Sequence, residues 1–167
     1  MSGNSTNNPL EEAYALLGAS SSNELAREFI KEDQRLLRIH TWDYEDEKLV
    51  LNKIKEIVEC VVEDGLATDD ESIEELKDIL WFWYHHATGL AIWDHKDKVR
   101  ALEFSDKALK YQTADNPNQI TRLLYLLVRD EEAEATVWLR AIIDDPDKTA
   151  ARQIMKEYQT GNFFKKE

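Results

Sequence analysis

The stretch WFWYHHATGLAIW, residues 81–93, contains four consecutive aromatic residues, two adjacent histidines and a further tryptophan. In a helix of about 3.6 residues per turn these side chains project in nearly every direction, so the helix is apolar almost all round. Such a helix is either buried on several sides or covered on one side by a partner. The chain also has only 5 Gly and 3 Pro in 167 residues, which favours long helices over short strands with tight turns. We therefore predict an all-α fold.

Apolar residues recur three or four positions apart along most of the chain, a spacing typical of amphipathic helices. With the capping residues between them, they predict helices over 9–18, 23–38, 69–94, 99–111, 120–129, 131–143 and 148–159. A further predicted helix is capped by Thr41 or Asp43, carries the apolar face from Leu49 to Val62 and stops at residues 64–65. A break at residues 40–43 separates the second helix from the third. The predicted arrangement is a set of antiparallel hairpins, in a right-handed array or an irregular bundle.

The expected domain organisation is a disordered N-terminus over residues 1–9, one all-α domain over 10–160, and a tail over 161–167. Within the domain, residues 10–65 form the N-terminal helices, 69–146 the hairpins and 147–160 a capping helix.

The formal net charge is −13, from 34 acidic and 21 basic side chains. An acidic chain repels phosphate groups and anionic membrane surfaces, so we expect neither nucleic acid nor membrane as a partner. A basic protein or peptide is the more natural partner. The N-terminal sequence MSGNSTNNP has no secretory pattern and no apolar run is long enough to span a membrane, so the expected location is cytoplasmic. The single cysteine, Cys60, lies in the apolar run VECVV and is predicted to be a buried, unreactive thiol.

Two predicted helix pairs show matching residues 33 positions apart, with Ala108-Leu109 in the first and Ala141-Ile142 in the second. The residues that carry the match are Gly89, Ala101, Ala108 and Leu109 in the first pair, and Tyr125, Trp138, Ala141, Ile142 and Pro146 in the second. This pattern, over about residues 82–146, resembles the tetratricopeptide repeat (TPR) family in degenerate form. The resemblance implies that the small residues Gly89 and Ala101 let the two helices of a repeat cross closely. The second pair departs from the family pattern, with Arg122 at a small-residue position and Glu134 at an alanine position.

The resemblance also implies a partner-binding groove, because this family binds peptides or helices on the inner face of each repeat's first helix. The implied partner-binding residues are Trp83, His86, Leu90, Trp93, Gln119 and Arg122. The alternative is that Trp83 and Trp93 only pack against the N-terminal helices, since tryptophan is highly buried on average.

The remaining patterns favour a binding protein over an enzyme. His85 and His86 are adjacent, so on a helix they diverge and cannot chelate one metal together, and no H-E-x-x-H sequence is present. No glycine-rich phosphate loop or G-x-S-x-G sequence occurs. We predict a protein-interaction module (an adaptor, a chaperone or an inhibitor, including an immunity-type inhibitor of a basic toxin) without a cofactor. Two alternatives stay open: an all-α enzyme or metal protein that uses His and carboxylate groups, and a subunit that forms a homodimer through helix 69–94 or through Phe163 and Phe164.

Overall fold

The computed structural model describes residues 8–38, 49–112, 119–142 and 145–164. Within these ranges the chain is helical with short turns and contains no strand, which confirms the all-α class. Eight α-helices are present in the described ranges: α1 Pro9–Leu17, α2 Ser22–Arg38, α3 Leu49–Glu63, α4 Asp70–Gly89, α5 Lys98–Lys110, α6 Gln119–Val128, α7 Glu132–Ala141 and α8 Asp145–Gln159. The predicted break at residues 40–43, most of the predicted N-terminal disorder and the end of the predicted tail lie outside the described residues.

The chain divides into two compact units, Met1–Ile79 and Leu80–Glu167, which we call unit 1 and unit 2. The boundary falls inside α4, so this helix contributes residues to both. The sequence prediction placed residues 10–160 in one domain.

In unit 1, helices α1, α2 and α3 contact one another pairwise. The core face of α3 carries Leu51, Ile54, Val58 and Val61, which repeat at three and four positions and are buried. Phe29 of α2 is also fully buried, on the side of α2 that faces the interior of the three helices. The amphipathic spacing in the sequence thus corresponds to burial in the structure.

Glycines end two helices of unit 1. Gly65 has φ of 70°, and the amides of Gly65 and Leu66 donate to the carbonyls of Val62 and Val61, at 3.3 and 3.0 Å. This pair of bonds is a Schellman motif, whose left-handed residue suits glycine. Gly18 ends α1 in the same left-handed conformation.

The start of α4 is capped differently from the sequence expectation. Thr68 and Glu71 match a capping box in sequence, but the Thr68 hydroxyl accepts a bond from the amide side chain of Asn23, at 3.0 Å. The Asn23 side-chain oxygen in turn accepts from the backbone amides of Thr68, at 2.7 Å, and Asp69, at 3.3 Å. The Asn23 side chain of α2 therefore satisfies the backbone amides that precede α4. These bonds link the start of α2 to the start of α4 within unit 1.

In unit 2, α6 is central and contacts α5, α7 and α8. Its middle is nearly all apolar, and Leu123, Tyr125 and Leu127 are fully buried. Ala101 and Ala108 of α5 are fully buried as well. Helix α8 begins at Asp145, three residues before its predicted start, because Pro146 falls in the first turn, where a missing N–H costs no helical hydrogen bond.

Helix α4 ends in a wider turn, a π-helical segment over Leu90–Asp94. The amide of His95 donates to the carbonyl of Leu90 at 2.9 Å, and Lys96 takes φ of 53° as the chain turns away. A Cβ atom added to Gly89 would meet only Trp93 of the same segment, at 4.0 Å. The close helix crossing implied at Gly89 is therefore absent from the described structure, whereas Ala101 is tightly packed.

Candidate partner-binding sites

The aromatic stretch is mostly packed. Every residue from 81 to 93 is buried or half-buried, and none is fully exposed. Trp83 is 6% exposed, while His86, Leu90 and Trp93 are half-buried. Of the residues predicted to face a partner, Trp83 therefore presents almost no surface, and the other three on this helix present part of theirs.

An aromatic and polar cluster connects α4 to α6 inside unit 2. The Trp81 and His85 rings stack with centroids 5.0 Å apart, and His85 Nδ1 shares a hydrogen bond of 2.7 Å with the Tyr125 hydroxyl. Burial, with a smaller contribution from His86, lowers the pKa of His85, and burial raises the pKa of Tyr125. Trp81 Nε1 is buried without a hydrogen-bond partner among the described residues. The ring stacking and the hydrogen bond thus pack α4 against α6 within unit 2.

Trp93 is half-buried because the chain's own C-terminal segment lies on it. The Trp93 and Phe163 rings meet edge to face, with centroids 5.5 Å apart, and Phe163 is 6% exposed. The Phe164 amide donates to the Ile92 carbonyl at 3.4 Å. We call the surface formed by Ile92, Trp93, Lys96 and Tyr158 the Trp93 cleft. Phe163, named above as a candidate contact for a homodimer, is packed within unit 2.

Arg122 lies apart from this cleft, beside a cavity of about 270 Å³ that α5, α6 and α7 line. Its guanidinium sits over the Trp138 ring, 4.9 Å from the centroid. Arg129 lies two turns further along α6 and pairs with Asp106. This arrangement offers guanidinium N–H donors to a polar side chain. Gln119 is the first residue of α6, and its side chain lies outside what the structure describes.

The two units differ sharply in charge. Residues 1–79 contain 20 acidic and 8 basic side chains, a net charge of −12, whereas residues 80–167 contain 14 and 13, a net charge of −1. Unit 1 therefore carries nearly all of the net negative charge of the chain. The sequence-level prediction of a basic partner consequently points to unit 1, while the resemblance to TPR proteins concerns unit 2.

Within unit 1, the first half of α4 concentrates exposed carboxylates on one face. The acidic stripe, as we call it, occupies positions i, i+3, i+4 and i+7 of the helix and consists of Glu71, Glu74, Glu75 and Asp78, all exposed. Lys77 pairs with Glu74 at 3.8 Å, in an exposed pair. Like charges four residues apart destabilise a helix by about 0.2–0.5 kcal/mol per pair, so the stripe opposes the local stability of α4.

The charges of α2 are arranged in the opposite way. Glu28 pairs with Lys31 at 3.1 Å, and Glu32 pairs with Arg35. The hydrogen bond from Arg35 lowers the pKa of Glu32. These carboxylates of α2 are therefore matched by basic side chains of their own helix.

Cys60 is exposed, so the prediction of a buried thiol is wrong. The core stripe of α3 passes through Val58 and Val61, and position 60 falls beside that stripe rather than on it. The thiol borders a shallow apolar pocket of about 340 Å³, whose walls include Leu10 and Ile57.

The described residues contain no group of three or more His, Cys, Asp or Glu side chains placed to hold a metal ion. No helix in the described ranges is both long enough and apolar enough to cross a membrane. Comparisons with protein-family models, with curated proteins and with solved structures found no match.

Two features of the candidate sites escaped the sequence patterns. The packing of Phe163 onto Trp93 joins residues 70 positions apart, which no local period reveals. A signal was nevertheless present in the sequence Thr160-Gly161-Asn162 after α8, since glycine at that place predicts a reversal of the chain. Counts of acidic and basic residues on each side of the boundary give the charge difference between the units, but the sequence alone does not give the boundary.

Proposed function

We propose that this protein is an interaction module that binds a basic protein or peptide through the acidic face of unit 1. The observation that carries the proposal is the concentration of charge: a net charge of −12 in unit 1 against −1 in unit 2, with four exposed carboxylates aligned on one face of α4. Adaptor, chaperone and inhibitor roles share this requirement, and an inhibitor of a basic toxin is one form of it.

The electrostatic consequence is steering. A surface of one sign attracts an oppositely charged partner before contact and raises the association rate, most strongly at low ionic strength. At physiological salt the Debye length is about 8 Å, so neighbouring carboxylates of the stripe act on a partner together. A lysine or arginine placed between Glu71 and Glu75, or between Glu74 and Asp78, would also relieve the repulsion within each pair.

We infer that unit 2 supports a second binding role of the kind that the TPR resemblance implies. The supporting observations are the contacts of α6 with the helices on both sides of it and the full burial of Ala101 and Ala108. The half-buried His86, Leu90 and Trp93 are the part of the implied groove that remains near the surface.

The proposal for unit 1 is tested with a fluorescent lysine-rich peptide as the probe. The stripe variant carries Glu71→Gln, Glu74→Gln and Glu75→Gln. A matched control carries Glu103→Gln, Glu131→Gln and Glu134→Gln, which change the net charge equally but lie in unit 2 and are also exposed.

The stripe variant loses three exposed charge pairs with the peptide, at about 0.5 kcal/mol each. We therefore expect it to bind the peptide about tenfold more weakly than the wild type does. The control variant should bind within about twofold of the wild type, because its changes leave the stripe intact. An equal loss of affinity in both variants would show that the peptide senses only net charge, and the proposed surface would then be wrong.

A further inference from the structure

The C-terminal segment is directed onto the Trp93 cleft by the way α8 ends. Gly161 takes φ of 78°, its amide donates to the Tyr158 carbonyl at 3.1 Å, and the Asn162 amide donates to the Glu157 carbonyl at 2.9 Å. These two bonds form a Schellman motif, which reverses the chain at a left-handed glycine. The reversal sends residues 162–164 back along α8 and across the π-helical segment.

The cleft holds this segment by three kinds of contact. The Phe163 ring lies edge to face with both Trp93 and Tyr158, at centroid distances of 5.5 and 5.6 Å. The Ile92 carbonyl accepts from the Phe164 amide. The Lys96 ammonium donates to the Asn162 carbonyl.

Each of these contacts recognises a general feature of an extended peptide. The two backbone contacts require only a main-chain carbonyl and a main-chain N–H. The pocket takes the Phe163 ring, and the adjacent Phe164 ring packs edge to face on it at 5.9 Å and against the core of unit 2. Peptide-binding surfaces use the same combination, in which main-chain hydrogen bonds supply affinity and side-chain pockets supply specificity. The π-helical turn contributes here because its altered hydrogen bonding leaves the Ile92 carbonyl turned toward the segment, and such turns are frequent at functional sites.

We propose that the Trp93 cleft is a docking site for an extended protein segment with two adjacent aromatic residues, and that residues 162–164 are its resident occupant. An external segment of this chemistry competes with the chain's own Phe163 and Phe164. The site belongs to unit 2 and does not depend on the acidic stripe, so the two proposals stand or fall separately.

The resident segment weakens binding of an external one without blocking it. A segment tethered beside its site acts at an effective concentration in the millimolar range. The apparent affinity of a competing segment is then its intrinsic affinity multiplied by the fraction of molecules whose cleft is open. Besides the contacts above, the Asn162 side chain donates to the Glu157 carboxylate at 2.7 Å, and Phe164 packs against the same core that contains Phe163. Opening of the cleft therefore means that these three residues leave the surface of unit 2 together.

The test uses the full chain and a labelled peptide of the chain's own C-terminal sequence, TGNFFKKE, with TGNAAKKE as the control peptide of equal charge. The variant Phe163→Ala/Phe164→Ala removes the resident aromatic pair. We expect it to bind TGNFFKKE about tenfold or more tightly than the wild type does, and to ignore the control peptide. Adding Trp93→Ala to this variant should abolish the binding.

A second variant guards against loss of folding. Gly161→Ala leaves both phenylalanines in place but disfavours the left-handed turn that directs them, so it should give an affinity between those of the wild type and the double variant. Circular dichroism must show the same helicity in all variants. The proposal is wrong if the folded double variant shows no saturable binding of TGNFFKKE or binds both peptides equally. It is also wrong if adding Trp93→Ala to the double variant leaves the affinity for TGNFFKKE unchanged.

Discussion

Tyr125→Phe tests whether the aromatic stretch is part of the core of unit 2. Tyr125 is 1% exposed, and its hydroxyl forms the 2.7 Å bond to His85 Nδ1. Phenylalanine preserves the ring and therefore its packing. The substitution removes the hydroxyl alone and leaves His85 Nδ1 without this partner.

The expected loss follows from the burial of Tyr125 and the half-burial of His85. A typical hydrogen bond contributes about 1 kcal/mol net, and a buried group left unpaired costs about 1–3 kcal/mol. Part of this cost is offset because the hydroxyl no longer has to be desolvated. We therefore expect the free energy of unfolding to fall by about 1–2 kcal/mol.

Urea unfolding followed by circular dichroism measures this loss. Tyr158→Phe is the matched control, because the Tyr158 hydroxyl donates to Asp130 at 2.9 Å in an exposed bond that water can replace. Its loss should be smaller, at about 0.5 kcal/mol. If Tyr125→Phe leaves the free energy of unfolding unchanged, or costs no more than Tyr158→Phe, the buried bond between α4 and α6 does not stabilise the fold as described.

Three further predictions concern single side chains. Because burial lowers the pKa of His85, the unfolded chain binds a proton more readily, so stability should fall as the pH drops below the ordinary histidine pKa of about 6.5. His85→Gln should reduce this pH dependence in urea titrations, and identical profiles for the variant and the wild type would contradict the assignment. The exposed Cys60 should react with a thiol reagent in the native protein, and a reaction that requires urea would contradict its exposure. Asn23→Ala should cost about 1 kcal/mol by removing the bonds that precede α4, and an unchanged urea midpoint would show that water replaces them.

Local patterns predicted the helices well, because each pattern acts within a few residues. The helical period brings Val58 and Val61 onto one face of α3, and that face is buried. Gly18 and Gly65 supply the left-handed turns that end α1 and α3. Side chains at the edge of such a face are harder to place. Cys60 is one position from two buried residues, yet the rotation of about 100° per residue takes it to the surface.

The candidate sites depend on contacts between distant parts of the chain, so the sequence predicted them only in part. The aromatic stretch was recognised as the main feature, but its packing depends on partners such as Tyr125 and Phe163, which lie 40 or more positions beyond the residues they contact. The π-helical turn at Leu90–Asp94 also has no signal in helical periodicity, since the apolar pattern continues through it. The acidic stripe was not predicted as a site, because its exposure on one face of α4 required the structure.

The central claim is that the acidic face of unit 1 docks a basic partner, and the most direct measurement locates the binding surface. Amide chemical shifts of the isotope-labelled protein would be followed during titration with a lysine-rich peptide at physiological salt. The account predicts that the shifts concentrate in residues 70–78, and that the stripe variant with Glu71→Gln, Glu74→Gln and Glu75→Gln loses them. Shifts spread evenly over unit 1, or centred in unit 2, would contradict it.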